Sequence, residues 1–354
     1  MCRSKASIRQ AVRPYCFIIP PYMLKEVAKR EEGAMREHAL ESLAVSAQLR
    51  GQRAVLGLLP QAMTAFAVGG KSRNVFDAHH TEDLPGKLVR REGDKATRDK
   101  AVNEAYTYAG VTYDFYKKIF NRNSVDARGM RLDSTVHYDV NFDNAFWNGN
   151  QMVYGDGDGV IFQRFTKCLD VIGHELTHGV TQFEAGLVYR GQPGALNESF
   201  SDVFGSMIKQ WRLKQKADKA DWVIGEGLFT PQINGVGIRS MSNPGTAYDD
   251  PKLGKDPQPA DMKHYFKGSA DNYGVHINSG IPNRAFYLTA VELGGYSWDK
   301  AGKIWYVALR DRIRPSTNFA QAAQILIAVA RDLYGVNSAA EKAVTKAWKA
   351  VGVL

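Results

Sequence analysis

Val171-Ile172-Gly173-His174-Glu175-Leu176-Thr177-His178 is followed, twenty residues after His178, by Glu198 in the run Asn197-Glu198-Ser199-Phe200-Ser201-Asp202. A helix of 3.6 residues per turn stacks position i beneath i+4, so His174 and His178 are predicted to share one helical face. Glu175 falls beside that face, where its carboxylate can take a proton from a water at a bound metal. A chance HExxH is expected in about one chain in a hundred of this length, so the motif needs support. Glu198 supplies it. Two imidazoles and one carboxylate leave a fourth position open, the arrangement of a catalytic rather than a structural zinc. Asp202, one turn beyond Glu198, and Asn197 are placed to accept the spare imidazole N–H groups and so fix the tautomers. A solvated helix face would account for Glu198 and Asp202 about one time in ten once the first motif is given.

The 354 residues, 44% of them hydrophobic and 23% charged, are enough for two packed domains of a soluble protein. Of the formal charge of +9, residues 1–60 account for +5, and no Arg/Lys stripe is interleaved with aromatics. A nucleic-acid partner is therefore not expected, at odds of about one in twenty. Three cysteines, Cys2, Cys16 and Cys168, with no CxxC, rule against a disulfide framework. The apolar run Cys16-Phe17-Ile18-Ile19 stops at Pro20-Pro21, short of a signal-peptide core, and nothing approaches the roughly 20 apolar residues of a membrane span. The expectation is a soluble monomer with no membrane association, exported, if at all, without a standard leader.

Residues 22–50 read as helical, and Gly51, Gly57, Pro60, Gly69 and Gly70 mark a linker or processing region at 51–74. From Asn74 to Gly159 a helix at about 97–120 lies among short alternating runs such as Ser134-Thr135-Val136-His137-Tyr138, which reads as a strand-rich domain. From about 165 helices dominate: one through HELTH, one from Asn197 to Trp211, and a helical tail. In that tail Asp299, Thr317 and Ser338 are candidate N-caps, and Ala322, Ile325, Leu326, Val329 and Leu333 form a core stripe. The Gly/Pro/Asp-rich stretch 231–261 reads as a long surface loop.

Six separated motifs now give a resemblance. Asn144-Ala145-Phe146-Trp147, Tyr154-Gly155-Asp156-Gly157-Asp158-Gly159, HELTH, Gly194-Ala195-Leu196-Asn197-Glu198, Arg239-Ser240-Met241 and Gly274-Val275-His276-Ile277-Asn278-Ser279-Gly280 resemble, in order, those of the thermolysin family of neutral metalloproteases. The resemblance implies an α+β, two-domain fold, β-rich then α-helical, with the zinc helix at the cleft. The expected division is residues 1–60, 61–180 and 181–354. It further implies a zinc endopeptidase in which His276 and Tyr189 stabilise an oxyanion and Asp271 orients His276. Asn144, the Ala145 carbonyl and Arg239 would hold the peptide backbone. Phe162, Phe165, Val171 and Ile238 would line the pocket on the leaving-group side and favour bulky apolar residues, with plain core packing as the competing reading.

Two departures qualify the analogy. Asp170, Asp221 and Glu226 match calcium ligands, but Lys209 stands where a carboxylate is expected and Val223 replaces another. At most one calcium is expected, with the Lys209 charge standing in for the second ion. Tyr273 stands where the family usually has Gly, next to the loop that carries His276.

Residues 1–60 resemble the short propeptide of the protealysin-like branch, through Ile19-Pro20-Pro21-Tyr22-Met23-Leu24 and a following basic helix. An extended Pro-containing strand could occupy the cleft, which makes the chain a zymogen inhibited by its own N-terminal segment. A Cys16 thiolate on zinc competes with an ordinary free cysteine at about one to nine, and Cys168 reads as packing. Family members are commonly extracellular, so secretion without a leader is expected, with a cytoplasmic location as the alternative. A zinc hydrolase of non-peptide bonds and a silent scaffold are the rival readings; Asn144, Ala145 and Arg239 argue against the first, and intact Glu175, Glu198 and His276 against the second.

Overall fold

The structure is a computed structural model that describes residues 16–56 and 69–354. The expected division at residue 60 and half of the 51–74 linker lie outside the described residues.

A six-stranded sheet forms the first half, in the order β1-β5-β6-β4-β2-β3. Its strands are β1 (Cys16–Phe17), β2 (Arg73–Asp77), β3 (Lys87–Arg91), β4 (Leu132–Val136), β5 (Ala145–Trp147) and β6 (Gln151–Tyr154). The expected strand at Ser134–Tyr138 ends at Val136, because His137 turns into the left-handed region at φ 54°. The helix expected at 97–120 runs Lys100–Phe120 (α3); Asp99 caps it by accepting the Val102 N–H at 3.1 Å. It lies behind the zinc helix, where the Tyr116 hydroxyl meets Thr177 at 2.8 Å.

The N-terminal helix is in fact two, α1 (Pro21–Arg30) and α2 (Gly33–Leu56), with Gly33 at φ 59° in the break. Pro20 and Pro21 are not inside an extended strand. Pro21 opens α1, where its missing N–H costs nothing.

The motif helix α4 (Leu169–Phe183) and its neighbour α5 (Gly191–Leu213) are in backbone contact. A Cβ on Gly205 would lie 2.5 Å from the Asp170 carbonyl oxygen and 3.0 Å from the His174 nitrogen, and one on Gly173 would lie 3.2 Å from the Gly205 Cα. This close approach brings the carboxylates of α5 to the imidazoles of α4.

The 231–261 stretch is not simply a surface loop. It contains β8 (Arg239–Ser240), paired with β7 (Val223–Ile224), and the ribbon of β9 (Asp249–Asp250) with β10 (Gly254–Lys255). Ile238, Arg239 and Met241 are fully buried. Side chains do the organising: Asp256 accepts the Gly245 and Ala247 N–H groups at 3.1 Å and that of Gln258 at 3.0 Å.

The helical half is completed by α6 (Ala270–Asn278), α7 (Gly280–Leu293), α8 (Lys300–Asp311), α9 (Phe319–Tyr334) and α10 (Ala339–Ala350). Ser338 caps α10 as expected, but α9 is capped by Asn318 in a capping box with Gln321, while Thr317 accepts the Arg314 N–H instead. No helix among the described residues is long and apolar enough to cross a membrane.

Candidate active site

α4 presents His174 and His178 with their Nε2 atoms 2.9 Å apart, and α5 brings Glu198 to 3.5 Å from the first and 3.4 Å from the second. All three side chains are buried. The Nδ1 atom of His174 meets Asp202 at 2.8 Å, and that of His178 meets the Asn197 side-chain oxygen Oδ1 at 2.9 Å and the Ser201 hydroxyl at 3.0 Å. With both Nδ1 atoms donating, both Nε2 lone pairs face one another. Two ring nitrogens that close, beside a buried Glu198 Oε2 with no hydrogen bond, call for positive charge among them, supplied by a proton on His174 or by a metal ion. Burial would lower the His174 pKa, but Asp202 and Glu198 outweigh it and raise the group to about 9, whereas burial dominates at His178 and lowers it to about 3. The donor set of two nitrogens and a carboxylate fits zinc with a position left open.

Asp202 takes four hydrogen bonds from three side chains. Besides His174, its carboxylate accepts from Arg239 Nε at 2.9 Å and Nη2 at 2.8 Å, and from the Asn283 amide at 2.8 Å. Burial would raise its pKa, yet Arg239 and His174 hold it down at about 2. Asn283, on α7, has no signal in the sequence, since nothing local ties a residue 81 positions away to Asp202.

Glu175 points from α4 toward β5. Its Oε2 accepts the Trp147 N–H at 3.0 Å, while Oε1 is buried without a partner. Burial holds this carboxyl well above the ordinary range, with the Glu198 charge adding to the effect and His174 opposing it.

On the far side, Tyr189 donates its hydroxyl to Glu198 and stands 3.1 Å from His276 Nε2. Asp271 binds His276 twice, at Nδ1 (2.6 Å) and at the backbone N–H (2.7 Å). Burial would lower the pKa of His276, but Asp271 and Glu198 raise it above the usual imidazole value. The run Asp271 to Gly274 is left-handed throughout, with Tyr273 at φ 65°; its ring is 42% exposed and carries the Arg190 guanidinium 4.1 Å from its centroid. The ring thus turns outward onto Arg190 rather than into the site.

The cleft between these groups contains residues 16–19 of the chain itself. β1 pairs antiparallel with β5, Cys16 opposite Trp147 and Phe17 opposite Phe146. His276 Nε2 meets the Phe17 carbonyl at 3.1 Å, the Ile18 N–H donates to the Ala145 carbonyl at 3.1 Å, and Arg239 Nη1 donates to the Ile18 carbonyl at 3.2 Å. Asn144 clasps Ile19 from both ends, accepting its N–H at 2.9 Å and donating to its carbonyl at 3.2 Å. Ile18 and Ile19 are buried in the same apolar cluster as Phe162, Phe165, Val171 and Ile238.

At the expected calcium position, the Lys209 ammonium is 2.8 Å from Asp170 and 2.5 Å from Asp221, and donates to the Val223 carbonyl at 2.7 Å. Burial would lower its pKa, but the two carboxylates raise it above its ordinary value.

Residues 59–182 match the thermolysin metallopeptidase catalytic domain, and residues 185–353 match the thermolysin metallopeptidase alpha-helical domain. The chain belongs to the thermolysin family and is a zinc metalloendopeptidase. Its relatives include an extracellular metalloprotease of Pectobacterium carotovorum subsp. carotovorum, 51% identical over 96% of this chain and 97% of that one. Protease PrtS of a Photorhabdus species is 47% identical over 96% and 92%. Among solved structures, the precursor of protealysin, a metalloproteinase from Serratia proteamaculans, superposes with a TM-score of 0.87 at 52% identity, covering 96% of this chain and all of the other. The two-domain fold and the precursor form agree with the expectations from sequence.

Proposed function

We propose that this chain is a secreted zymogen whose zinc is held by His174, His178 and Glu198, and whose N-terminal segment lies in the substrate cleft as an intramolecular inhibitor. One observation carries the reading. The backbone from Phe17 to Ile19 is seated on Asn144, Ala145, Arg239 and His276, the groups expected to hold a peptide substrate.

When bound, zinc supplies Lewis-acid polarisation of the peptide carbonyl and lowers the pKa of water in the cleft. Glu175, fixed through Oε2 by Trp147, takes a proton from the attacking water at Oε1 and returns it to the leaving amine. His276, oriented by Asp271, and Tyr189 donate to the oxygen on which charge develops. Asn197 and Asp202 hold the two ligand imidazoles. Bulky apolar residues are preferred on the leaving-group side, because Ile18, the residue following the carbonyl on His276, is itself bulky, apolar and wholly buried. The Lys209 ammonium takes the place of one calcium, leaving Asp170, Asp221 and Glu226 with at most one. Export is supported by the extracellular metalloprotease of Pectobacterium.

The test is proteolysis of casein by the purified chain with and without a zinc chelator, beside Glu175→Ala. Expected are chelator-sensitive cleavage, a zinc-loaded but inactive variant that keeps its N-terminal segment, and cut sites preceding bulky apolar residues. Undiminished proteolysis by the variant would sink the assignment of Glu175.

A further inference from the structure

The N-terminal segment poses a problem that its hydrogen bonds do not solve. The Phe17 carbonyl lies on His276 and the following residues lie on Ala145, Arg239 and Asn144, so the Phe17–Ile18 peptide is held as a substrate would be. Alignment of this kind is what accelerates hydrolysis. Something must keep this bond whole.

The register of β1 indicates what does so. Side chains alternate along a strand, and Phe17 packs with Phe146, Tyr138 and Phe142 on one face of the sheet, its ring 5.1 Å from that of Phe146. Cys16 is therefore turned to the opposite face, toward α4. There its sulfur, a His178 ring nitrogen and a Glu198 carboxylate oxygen all lie within 4.8 Å of one another. Donors on a tetrahedral zinc with bonds of about 2.0–2.3 Å stand roughly 3.3–3.8 Å apart, so the limit encompasses shared ligation. Cys16 is 3% exposed and in no disulfide. A second observation points to a ligand at the same place: Glu198 Oε2 is fully buried without a hydrogen bond.

We propose that in the uncleaved chain Cys16 is the fourth zinc ligand, and that its sulfur, by taking the place of water, protects the Phe17–Ile18 bond. The inference rests on the zymogen reading above. The thiol releases its proton to solvent, a zinc–sulfur bond forms and a water leaves; no electron is transferred. Latency is then held by two different means, backbone pairing along Phe17–Ile19 and ligation at Cys16. The second acts on chemistry rather than on occupancy.

Cobalt(II) exchanged for zinc tests this in the full-length chain carrying Glu175→Gln, which stays whole. A near-ultraviolet thiolate-to-cobalt charge-transfer band is expected, lost in Cys16→Ser and in Cys16→Ala, and X-ray absorption of the zinc form should show one sulfur at about 2.3 Å. With Glu175 restored, Cys16→Ser should cut itself between Phe17 and Ile18 roughly tenfold faster or more, read by mass spectrometry of the new N-terminus. A band that persists in both variants, or that the parent lacks, overturns ligation. A lost band with no faster cleavage overturns the protective role. Failure of the zymogen reading would look different: the intact precursor would cleave added peptides at full rate whatever residue stands at position 16.

Discussion

If Ile18 anchors the inhibitory segment, Ile18→Ala should release latency without touching the enzyme that remains after processing. The Ile18 side chain is wholly buried against the cleft. Truncation removes three carbons, worth about 2.4 kcal/mol at about 0.8 kcal/mol each, and the unfilled space brings the expected range to about 2–5 kcal/mol. At 1.4 kcal/mol per factor of ten, the figure of about 2.4 kcal/mol raises the population with an open cleft by roughly fiftyfold. The backbone bonds to Asn144, Ala145 and Arg239 are retained, so the segment should still dock, only less often. The assay is the initial rate on an internally quenched peptide, taken while gel analysis shows the precursor intact. It is paired with the rate after complete processing, when Ile18 is gone and both proteins should be equal. Equal initial rates for parent and variant, with equal zinc content and unchanged circular dichroism, would refute the claim that this side chain helps to hold the cleft shut.

Glu175→Gln should retain one zinc by atomic absorption and lose activity by about a hundred- to ten-thousandfold; a smaller loss would move the proton transfer to another group. Lys209→Asp breaks a buried ion pair and should cost about 3–5 kcal/mol in denaturant titration, with calcium restoring much of it to the variant and little to the parent; equal calcium stabilisation of both proteins would contradict the ammonium's proposed role. His137, bonded to Asp156 and Asp99 at 2.7 and 2.9 Å, has a pKa raised to about 9, chiefly by Asp156. Because the folded state holds this proton more tightly than the unfolded one, the stabilisation is complete below about pH 6.5 and is lost as pH rises through about 9. Urea midpoints should show that decline in the parent and a flatter profile in His137→Gln.

The metal site was legible because helical periodicity is local. A spacing of four from His174 to His178 and of four from Glu198 to Asp202 fixes which side chains share a face before any packing is known. How the two helices meet was not legible, because it depends on Gly173 and Gly205 lacking side chains at one contact, and a glycine inside a helix carries no mark of its partner. The same limit hid Asn283, which reaches Asp202 from a helix far along the chain. The break between α1 and α2 was missed because charged residues of good helix propensity, Lys29 to Glu32, run straight through it. In the 231–261 stretch, Gly and Pro content signalled irregular backbone correctly but said nothing of burial, which Asp250 and Asp256 make possible by satisfying main-chain donors from within.

The sheet order explains why one segment can serve as both inhibitor and stand-in for substrate. Without β1, β5 is an edge, and an edge strand offers unpaired N–H and C=O groups to any extended chain. An enzyme that reads backbone in this way cannot refuse its own N-terminus on the basis of hydrogen bonds, since the inhibitor and the substrate use the same ones. Discrimination must come from what the backbone does not share. Side chains supply it here: Phe17 locks the register against Phe146, and Pro21 turns the chain into α1 three residues after Ile18, burying Met23 and Leu24. A free peptide brings no such helix and leaves after it is cut. Cleavage at Phe17–Ile18 would detach β1 but leave Ile18, Ile19 and the α1–α2 body covalently joined to the catalytic chain.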